Sequence, residues 1–159
     1  MRVFRIEKRK YLDQTLSGLG AAMAERNRWN SRNTPLVYSA QARSLALLEL
    51  LVHLDLRNGP PKELYYVEID IPDELRIAQV EASELPQNWT CNPPGFRTQK
   101  RGDQFAKEQQ APVLRVPSSL VPREFNYLIN PIHKDMANIS VVSAEPLTLD
   151  GRLTGGLNG

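Results

Sequence analysis

Hydrophobic positions along the chain fall mostly into short runs, which predict strands rather than long helices. The clearest run is Tyr65–Ile71, where apolar residues recur at every second position, as on a half-buried strand. This alternation places Tyr65, Val67, Ile69 and Ile71 on one face. About seven strands are predicted in total, at residues 3–6, 36–38, 65–71, 74–80, 113–116, 139–142 and 147–149.

One segment, Gln41–Leu54, predicts the dominant helix. Its run Leu45–Val52 is apolar nearly all round, so we expect most of the helix surface to be buried. Glu49 lies within this run, where a carboxylate requires a charged partner or hydrogen bonds. Three interpretations stay open for it: an ion pair with an arginine, a narrow solvent-facing stripe, or a carboxylate that points into a pocket. A second, short helix is predicted near residues 105–109.

These elements predict one compact α+β domain, with small β-sheets around a single dominant buried helix. At 159 residues the chain has the length of about one domain. The strands do not alternate regularly with long helices, which argues against a doubly wound fold. We assign the domain to residues 1–153 and expect the Gly-rich end, residues 154–159, to form a flexible tail.

Charge and cysteine content limit the classes of function that the chain can have. The chain carries 20 Lys+Arg and 18 Asp+Glu, a net charge of +2, which is too balanced to indicate nucleic-acid or membrane-surface binding by itself. The single cysteine, Cys91, excludes an internal disulfide and argues against a cysteine-based metal site. The N-terminus lacks an apolar signal region, and no run approaches the ~20 residues of a membrane span. We therefore expect a cytoplasmic protein with no metal site and no membrane contact.

The stretch that begins at Arg28 has the composition of a ligand cleft. It places Arg28 beside Trp29, followed by polar turn residues and a short apolar strand that contains Tyr38. A cation beside flat aromatic side chains indicates a flat, anionic ligand. Two further positions stay open. Arg5 interrupts the first strand and faces either solvent or a cleft, and Ser118 belongs either to a turn or to the polar lip of a pocket.

Nine short blocks, spread in order over most of the chain, match one pattern. They are Phe4–Ile6, Ser17–Gly20, Arg28–Ser31, Thr34–Ala40, Ala46–Glu49, Thr98–Asp103, Val116–Ser118, Asn126–His133 and Asp150–Leu153. In this order they resemble the RES-domain toxins of bacterial toxin–antitoxin pairs, a family named for an arginine, a glutamate and a serine. The family usually has glycine where Asn27 and Asn33 stand, and asparagine is among the residues that best tolerate positive φ.

The resemblance implies that Arg28, Glu49 and Ser118 are the three catalytic namesakes. Ser119 is adjacent, but the position directly after Val–Pro, which is Ser118, fits the family pattern better. The resemblance also implies a set of residues that bind NAD. The set is Arg5, Arg28, Trp29, Tyr38 and Asn130. No metal and no cofactor is implied, since NAD is the substrate and phosphate an optional co-substrate.

These residue types suit cleavage of the bond between nicotinamide and ribose. Nicotinamide leaves as a neutral group, so the transition state resembles an oxocarbenium ion. A carboxylate fixed near that ribose, in the role implied for Glu49, stabilises the positive charge. Arg28 offers a fork of donors for diphosphate oxygens, and Ser118 can orient Glu49 or a ligand hydroxyl.

The function that the resemblance implies is that of a toxin with an ADP-ribosyltransferase-like fold, which depletes cellular NAD by hydrolysis or phosphorolysis. Two alternatives stay open: ADP-ribose transfer to a protein target, and a non-enzymatic binding module with the same fold. The implied partner is an antitoxin with an Xre-like helix-turn-helix that blocks the cleft, so that DNA is contacted only through the antitoxin. A homodimer within a larger complex is compatible with this arrangement.

Overall fold

The strands form one mixed sheet in the computed structural model of the chain, which describes residues 1–54 and 61–153. The strands of these residues are β1 (Arg2–Lys8), β2 (Val37–Ala40), β3 (Leu64–Asp70), β4 (Ile77–Gln79), β5 (Val113–Pro117), β6 (Phe125–Ile129) and β7 (Ser140–Leu147). Their order in the sheet is β4-β5-β6-β2-β1-β3-β7. All neighbours pair antiparallel except β4 and β5, which are parallel.

Three α-helices and three short 3-10 helices lie in the described part of the chain. The α-helices are α1 (Leu19–Met23), α2 (Arg43–Leu51) and α3 (Phe96–Glu108), and the 3-10 helices span Arg9–Gln14, Ala82–Glu84 and Lys134–Asn138. No helix within residues 1–54 and 61–153 has the length and apolarity needed to cross a membrane.

The alternation predicted for β3 is confirmed for Val67, Ile69 and Ile71, whereas Tyr65 is only half-buried. Val67 and Ile69, together with Ile71 just beyond the strand, are fully buried, and they pack with apolar residues of β1, β2, β5 and β6 on one face of the sheet. The opposite face carries a second core, in which residues of β5 and β6 pack against α3. Because both faces of β5 are covered, its sequence is nearly continuously apolar and does not alternate.

Helix α2 differs from its prediction in length and in burial. It spans Arg43–Leu51 rather than Gln41–Leu54, and its buried residues are Leu45 and Ala46. Leu48, in the middle of the apolar run, is 36% exposed. The prediction of a helix that is buried on most of its surface is therefore wrong. One face of α2 packs on β1 and β2, and another contributes to a cleft.

The longest helix of the described chain is α3, with 13 residues, where the sequence indicated only a short helix. Its buried residues are Thr98, Gly102, Phe105 and Ala106, spaced so that they form one stripe toward the sheet. Two of these four are not strongly apolar. The hydrophobic pattern therefore underestimates how far the helix extends.

Two strand predictions need correction. Strand β6, Phe125–Ile129, was not among the predicted strands, although it pairs with both β2 and β5. Strand β7 is one strand, Ser140–Leu147, whereas the sequence indicated two, at 139–142 and 147–149. The expected small sheets are therefore joined into one, while the α+β class is confirmed. The predicted tail, residues 154–159, lies outside the described residues.

Candidate active site

A cleft opens where β2, α2 and β6 meet. Two cavities, of about 190 and 810 Å³, share Tyr38, Glu49 and Asn126 in their linings. A third, of about 520 Å³, also includes Tyr38, which therefore lies where all three adjoin. The two larger cavities fall in the usual size range of small-molecule sites. Among the described residues, no group of three or more His, Cys, Asp and Glu side chains is arranged to hold a metal ion.

The carboxylate of Glu49 is held by hydrogen bonds and not by an arginine. Its Oε1 accepts from the amide Nδ2 of Asn126 at 2.6 Å and from the hydroxyl of Ser118 at 3.4 Å. Within the described residues Glu49 forms no ion pair. Of the three interpretations left open by the sequence, the structure supports the carboxylate that points into a pocket, because Glu49 lines two cavities.

Ser118 lies directly after β5 and both fixes a turn and contacts the carboxylate. Its Oγ accepts hydrogen bonds from the backbone N–H groups of Leu120 at 3.1 Å and Val121 at 3.2 Å. The same hydroxyl donates to Glu49. Ser119 lines the 810 Å³ cavity but has no hydrogen bond to Glu49 in the described structure. The structure therefore brings Ser118, rather than Ser119, to the carboxylate.

The guanidinium of Arg28 is anchored by backbone carbonyls of the loop that precedes α3. It donates to the carbonyl oxygens of Trp89, of Cys91 at 3.2 Å and of Thr90 at 3.5 Å. Burial lowers the pKa of Arg28, and the Coulombic influence of Cys91 and Glu49 opposes that shift. Arg28 lines the same 810 Å³ cavity as Glu49, so the structure brings these two predicted catalytic residues to one cleft.

The hydroxyl of Tyr38 both donates and accepts a hydrogen bond within the protein. It accepts a hydrogen bond from the backbone N–H of Trp29 at 3.1 Å and donates to Oδ1 of Asn30 at 2.6 Å. Burial is the main reason why the pKa of this hydroxyl lies far above its ordinary value, so it stays protonated. Since both hydrogen-bonding functions are occupied, Tyr38 offers its ring to a ligand in the cleft.

Trp29 lies mainly in the core. It is 2% exposed and belongs to the same apolar cluster as Leu36, Phe105 and Leu114, although it also contributes to the lining of the 810 Å³ cavity. A Cβ atom at Gly102 of α3 would lie 1.6 Å from the carbonyl oxygen of Trp29, so helix and loop approach as closely as only glycine permits. Trp29 therefore mainly supports the wall of the cleft from the apolar core.

Asparagines fix the loop that carries these residues. Asn33 adopts a left-handed φ of 72°, as predicted for a replacement of glycine. Asn27 is not among the residues with positive φ in the described chain, but its amide donates to the carbonyl of Ala21 at 2.7 Å. Asn30 is fully buried, and its amide donates to three backbone carbonyls nearby. Side-chain hydrogen bonds of asparagine therefore hold much of the loop in place.

Arg5 points inward and is paired on its own strand. Its guanidinium donates to Glu7 at 2.6 Å and to the carbonyl of Thr15 at 3.3 Å. Burial lowers the pKa of Arg5, and the Glu7 carboxylate opposes that shift. Arg5 lines both the 190 and the 520 Å³ cavities, which supports the cleft-facing interpretation over the solvent-facing one.

Asn130, predicted to contact NAD, is not brought to the cleft. The side chain is fully buried and lines none of these cavities. Its Nδ2 donates to the carbonyl of Ala106 in α3 at 3.0 Å, and its Oδ1 accepts from the N–H of Ile132 at 3.2 Å. Asn130 therefore joins the end of β6 to α3, and because its side chain is fully buried it is not presented to a ligand in the cleft.

Two features of the cleft were not predicted from the sequence. Asn126 is a polar residue inside the apolar run Phe125–Ile129, and this interruption is the signal that could have identified it. The carbonyls that hold Arg28 belong to residues 89–91, and a backbone carbonyl has no signature in the sequence.

A solved structure shares the fold. A chain of the M. tuberculosis MbcT–MbcA toxin–antitoxin complex superimposes with a TM-score of 0.71 at 13% sequence identity, covering 92% of this chain and 84% of that chain. At this level of identity the similarity establishes the fold alone.

Sequence comparison establishes the family. The Prs ADP-ribosylating toxin of Sphingobium sp. (strain YBL2) is 39% identical over 150 residues, which covers 92% of this chain and 91% of that protein. Toxin Res of Yersinia enterocolitica is 35% identical over 149 residues, covering 93% of this chain and 95% of that protein. The RES domain model matches residues 2–150, so the chain belongs to the RES domain family.

Proposed function

We propose that this protein is the toxin of a toxin–antitoxin pair and that it cleaves NAD at the nicotinamide–ribose bond. The observation that carries the proposal is the carboxylate of Glu49, held by Asn126 and Ser118 in a cavity that Arg28 also lines. Membership of the RES domain family and the toxin names of the relatives support it.

The chemistry follows from a fixed anion beside the reacting ribose. The bond from C1 of the ribose to nicotinamide breaks, and its electron pair leaves with the neutral nicotinamide. The positive charge that develops on the ribose is stabilised by the Glu49 carboxylate, whose position is set before the substrate arrives. An acceptor oxygen then forms the new bond to C1 and releases its proton.

Arg28 is suited to the diphosphate of the same substrate. The three carbonyls that hold its guanidinium are neutral, so they fix its position without cancelling its charge. A diphosphate that enters the 810 Å³ cavity therefore meets a pre-positioned cation. This explains how one arginine binds the ligand while it remains tied to the protein.

The acceptor distinguishes three outcomes. Water gives hydrolysis, phosphate gives phosphorolysis, and a protein side chain gives ADP-ribosylation. The relative named Prs ADP-ribosylating toxin, 39% identical to this chain, favours the last as the second candidate function. A non-enzymatic binding module is the remaining alternative.

An antitoxin is the proposed protein partner. The structural neighbour is part of a toxin–antitoxin complex, which supports a partner of this kind. We propose an antitoxin with an Xre-like helix-turn-helix that covers the cleft, so that DNA is bound by the complex through the antitoxin. NAD consumption by the purified chain is then expected to stop when the antitoxin is added.

The test is NAD consumption by the purified protein and by Glu49→Gln. The variant is expected to lower kcat by about 100-fold or more, as for loss of one preorganised electrostatic group. Glu74→Gln is the matched control, because it makes the same change at an exposed carboxylate that lines none of the cleft cavities. Undiminished NAD consumption by Glu49→Gln contradicts the proposal.

The acceptor is identified with NAD labelled in the adenosine part. Label recovered as free ADP-ribose indicates water, and a phosphorylated product that appears only with added phosphate indicates phosphorolysis. Label that stays with protein after denaturation, in a reaction supplied with cell extract, indicates ADP-ribosylation.

A further inference from the structure

The shortest hydrogen bond to the Glu49 carboxylate comes from a residue outside the namesake set. Asn126 Nδ2 lies 2.6 Å from Oε1, whereas the Ser118 hydroxyl lies 3.4 Å from it. A carboxylate oxygen only accepts, so the amide of Asn126 must present its NH₂ group to it. The amide is therefore the closer of the two groups that orient Glu49.

The strand that carries Asn126 is held on both sides. Asn126 pairs with Ala40 of β2 in one direction and with Val116 of β5 in the other. A residue in the interior of a sheet has its backbone fixed by two ladders of hydrogen bonds. The side-chain amide of Asn126 is therefore attached to a rigid backbone, unlike a donor on a loop.

Ser118 contributes a donor whose direction is also determined. Its Oγ already accepts from the N–H groups of Leu120 and Val121, so both lone pairs are engaged. The hydroxyl proton then points away from the turn, toward Oε1 of Glu49. Two donors, one within β6 and one directly after β5, thus converge on one carboxylate oxygen.

The other oxygen of Glu49 has no donor among the described residues. Tilting the carboxylate plane away from this orientation would break both hydrogen bonds to Oε1, so the two donors fix the orientation of the group and leave one oxygen without a donor. We propose that Asn126 is a positioning residue that ties Oε1 to the sheet and thereby commits Oε2 to the reacting ribose in the cleft. The inference rests on the proposed function and assigns a role that the arginine, glutamate and serine of the family name do not cover.

The proposal predicts a separation of kcat from KM. A carboxylate that is free to rotate is wrongly oriented for much of the time, and misplacement of a reacting group costs about 10- to 100-fold in rate. Asn126→Ala is therefore expected to lower kcat by about 10- to 100-fold with little change in KM. If the substitution instead reduced the amount of folded protein, the concentration of active sites would fall. A titration of NAD-binding sites measures that concentration.

The pH dependence provides a readout that a purely structural role would not change. Asn126→Asp is nearly isosteric, but it replaces the donor with a second carboxylate beside Glu49. Two adjacent carboxylates resist ionisation of both, so the acidic limb of the kcat profile is expected to move to higher pH. Asn138→Asp makes the same substitution at an exposed residue of the 3-10 helix Lys134–Asn138 and is expected to leave the profile unchanged.

Two outcomes overturn the positioning role while the proposed function stands. These are a wild-type kcat for Asn126→Ala, and an acidic limb for Asn126→Asp that coincides with that of the wild type. Should Asn126→Ala fail to fold, the isosteric Asn126→Asp supplies the test alone.

A second measurement separates this inference from the proposed function. The titration of the Glu49 carboxyl is followed by NMR and assigned with Glu49→Gln, and this needs no turnover. Asn126→Asp is expected to move that titration to higher pH, and Asn138→Asp is not. If the wild-type protein does not consume NAD while Asn126→Asp shows this shift, the proposed function is contradicted and the Asn126–Glu49 contact is still established. An unchanged Glu49 titration in Asn126→Asp overturns the positioning role whatever the activity.

Discussion

At the scale of single residues, the cleft depends on buried polar groups that are hydrogen-bonded within the protein. The hydroxyl of Tyr38 illustrates this, because it joins the backbone of Trp29 to the side chain of Asn30, which is itself fully buried. A buried polar group that loses its partner costs free energy that water cannot restore. Residues of this kind hold the loop in place before any ligand binds.

Tyr38→Phe is expected to lower the free energy of unfolding by about 1–3 kcal/mol, because it leaves Oδ1 of Asn30 and the N–H of Trp29 without a partner. Urea unfolding measures the change. The control is Tyr11→Phe, since Tyr11 is 44% exposed and its hydroxyl has no hydrogen bond within the described residues. Equal stability of the two variants would contradict this assignment of hydrogen bonds.

The same hydroxyl predicts how stability depends on pH. Burial raises the pKa of Tyr38 in the folded protein, whereas in the unfolded chain it titrates near its ordinary value of about 10. Above about pH 10 the unfolded state therefore loses a proton that the folded state keeps, and stability falls as pH rises. The slope due to this residue is at most about 1.4 kcal/mol per pH unit. The difference in unfolding free energy between wild type and Tyr38→Phe should shrink above about pH 10 and stay constant below about pH 9.

Roles that follow from the chemistry of a side chain could be predicted from the sequence, whereas roles that depend on a contact with a distant residue could not. The residue types of Arg28 and Glu49 indicate their chemistry, and the resemblance to a family points to the same positions. The amide of Asn126 is different, because it acts on a carboxylate 77 positions away in the chain. No local pattern encodes such a contact, and the same holds for Asn130, whose burial against α3 was not foreseen.

At the scale of elements, close packing of α3 on the loop around Trp29 sets one side of the cleft. The contact depends on Gly102, where the helix backbone meets the carbonyl of Trp29. The next residue, Asp103, accepts a hydrogen bond from the N–H of Ser31 at 2.9 Å and ties the same two elements together. Displacement of α3 would therefore move the backbone beside Arg28 as well.

Gly102→Ala is expected to destabilise the fold by about 3 kcal/mol or more, because the new Cβ atom would lie 1.6 Å from the oxygen of Trp29 and neither backbone can yield easily. Thermal or urea unfolding measures the loss. Gly20→Ala is the control: a Cβ atom added there would meet nothing within 4 Å, and alanine in the short helix α1 is expected to be neutral or slightly stabilising. A Gly102→Ala variant as stable as Gly20→Ala would refute the close approach.

Element prediction succeeded where one face of a strand is buried and failed where burial depends on distant neighbours. The alternation in β3 reports a sheet with one covered face, and the structure confirms it. The run in α2 is apolar all round, but whether a helix is enclosed depends on how many elements reach it, and here the sheet covers only one face. In α3 the reverse holds, because a tight contact replaces apolar side chains with Gly102.

At the scale of the whole molecule, the cleft is assembled from segments spread along the chain. Arg28, Glu49, Ser118 and Asn126 come from a loop, a helix, a strand end and a strand interior. A ligand that contacts several of these segments links them, so binding should stabilise the fold as a unit. A ligand at about 100 times its Kd stabilises a protein by about 2.7 kcal/mol.

NAD is therefore expected to raise the Tm of Glu49→Gln, a variant in which turnover is expected to be slow, by about 5–10 °C at such a concentration. Differential scanning fluorimetry measures the shift. Arg28→Ala should show a clearly smaller shift at the same concentration, since it lacks the cation that we propose binds the diphosphate. ADP-ribose, which lacks nicotinamide, serves as the comparison ligand, and the absence of any shift with either ligand would count against an NAD cleft.

The anchoring of Arg28 has a consequence for divergence among relatives. Its acceptors are main-chain carbonyls of residues 89–91, and every amino acid supplies an equivalent carbonyl. Substitutions at these three positions can accumulate without removing the acceptors, provided that the path of the backbone is kept. An alignment would then show a variable loop beside an invariant arginine, and the dependence of one on the other would be visible only in three dimensions.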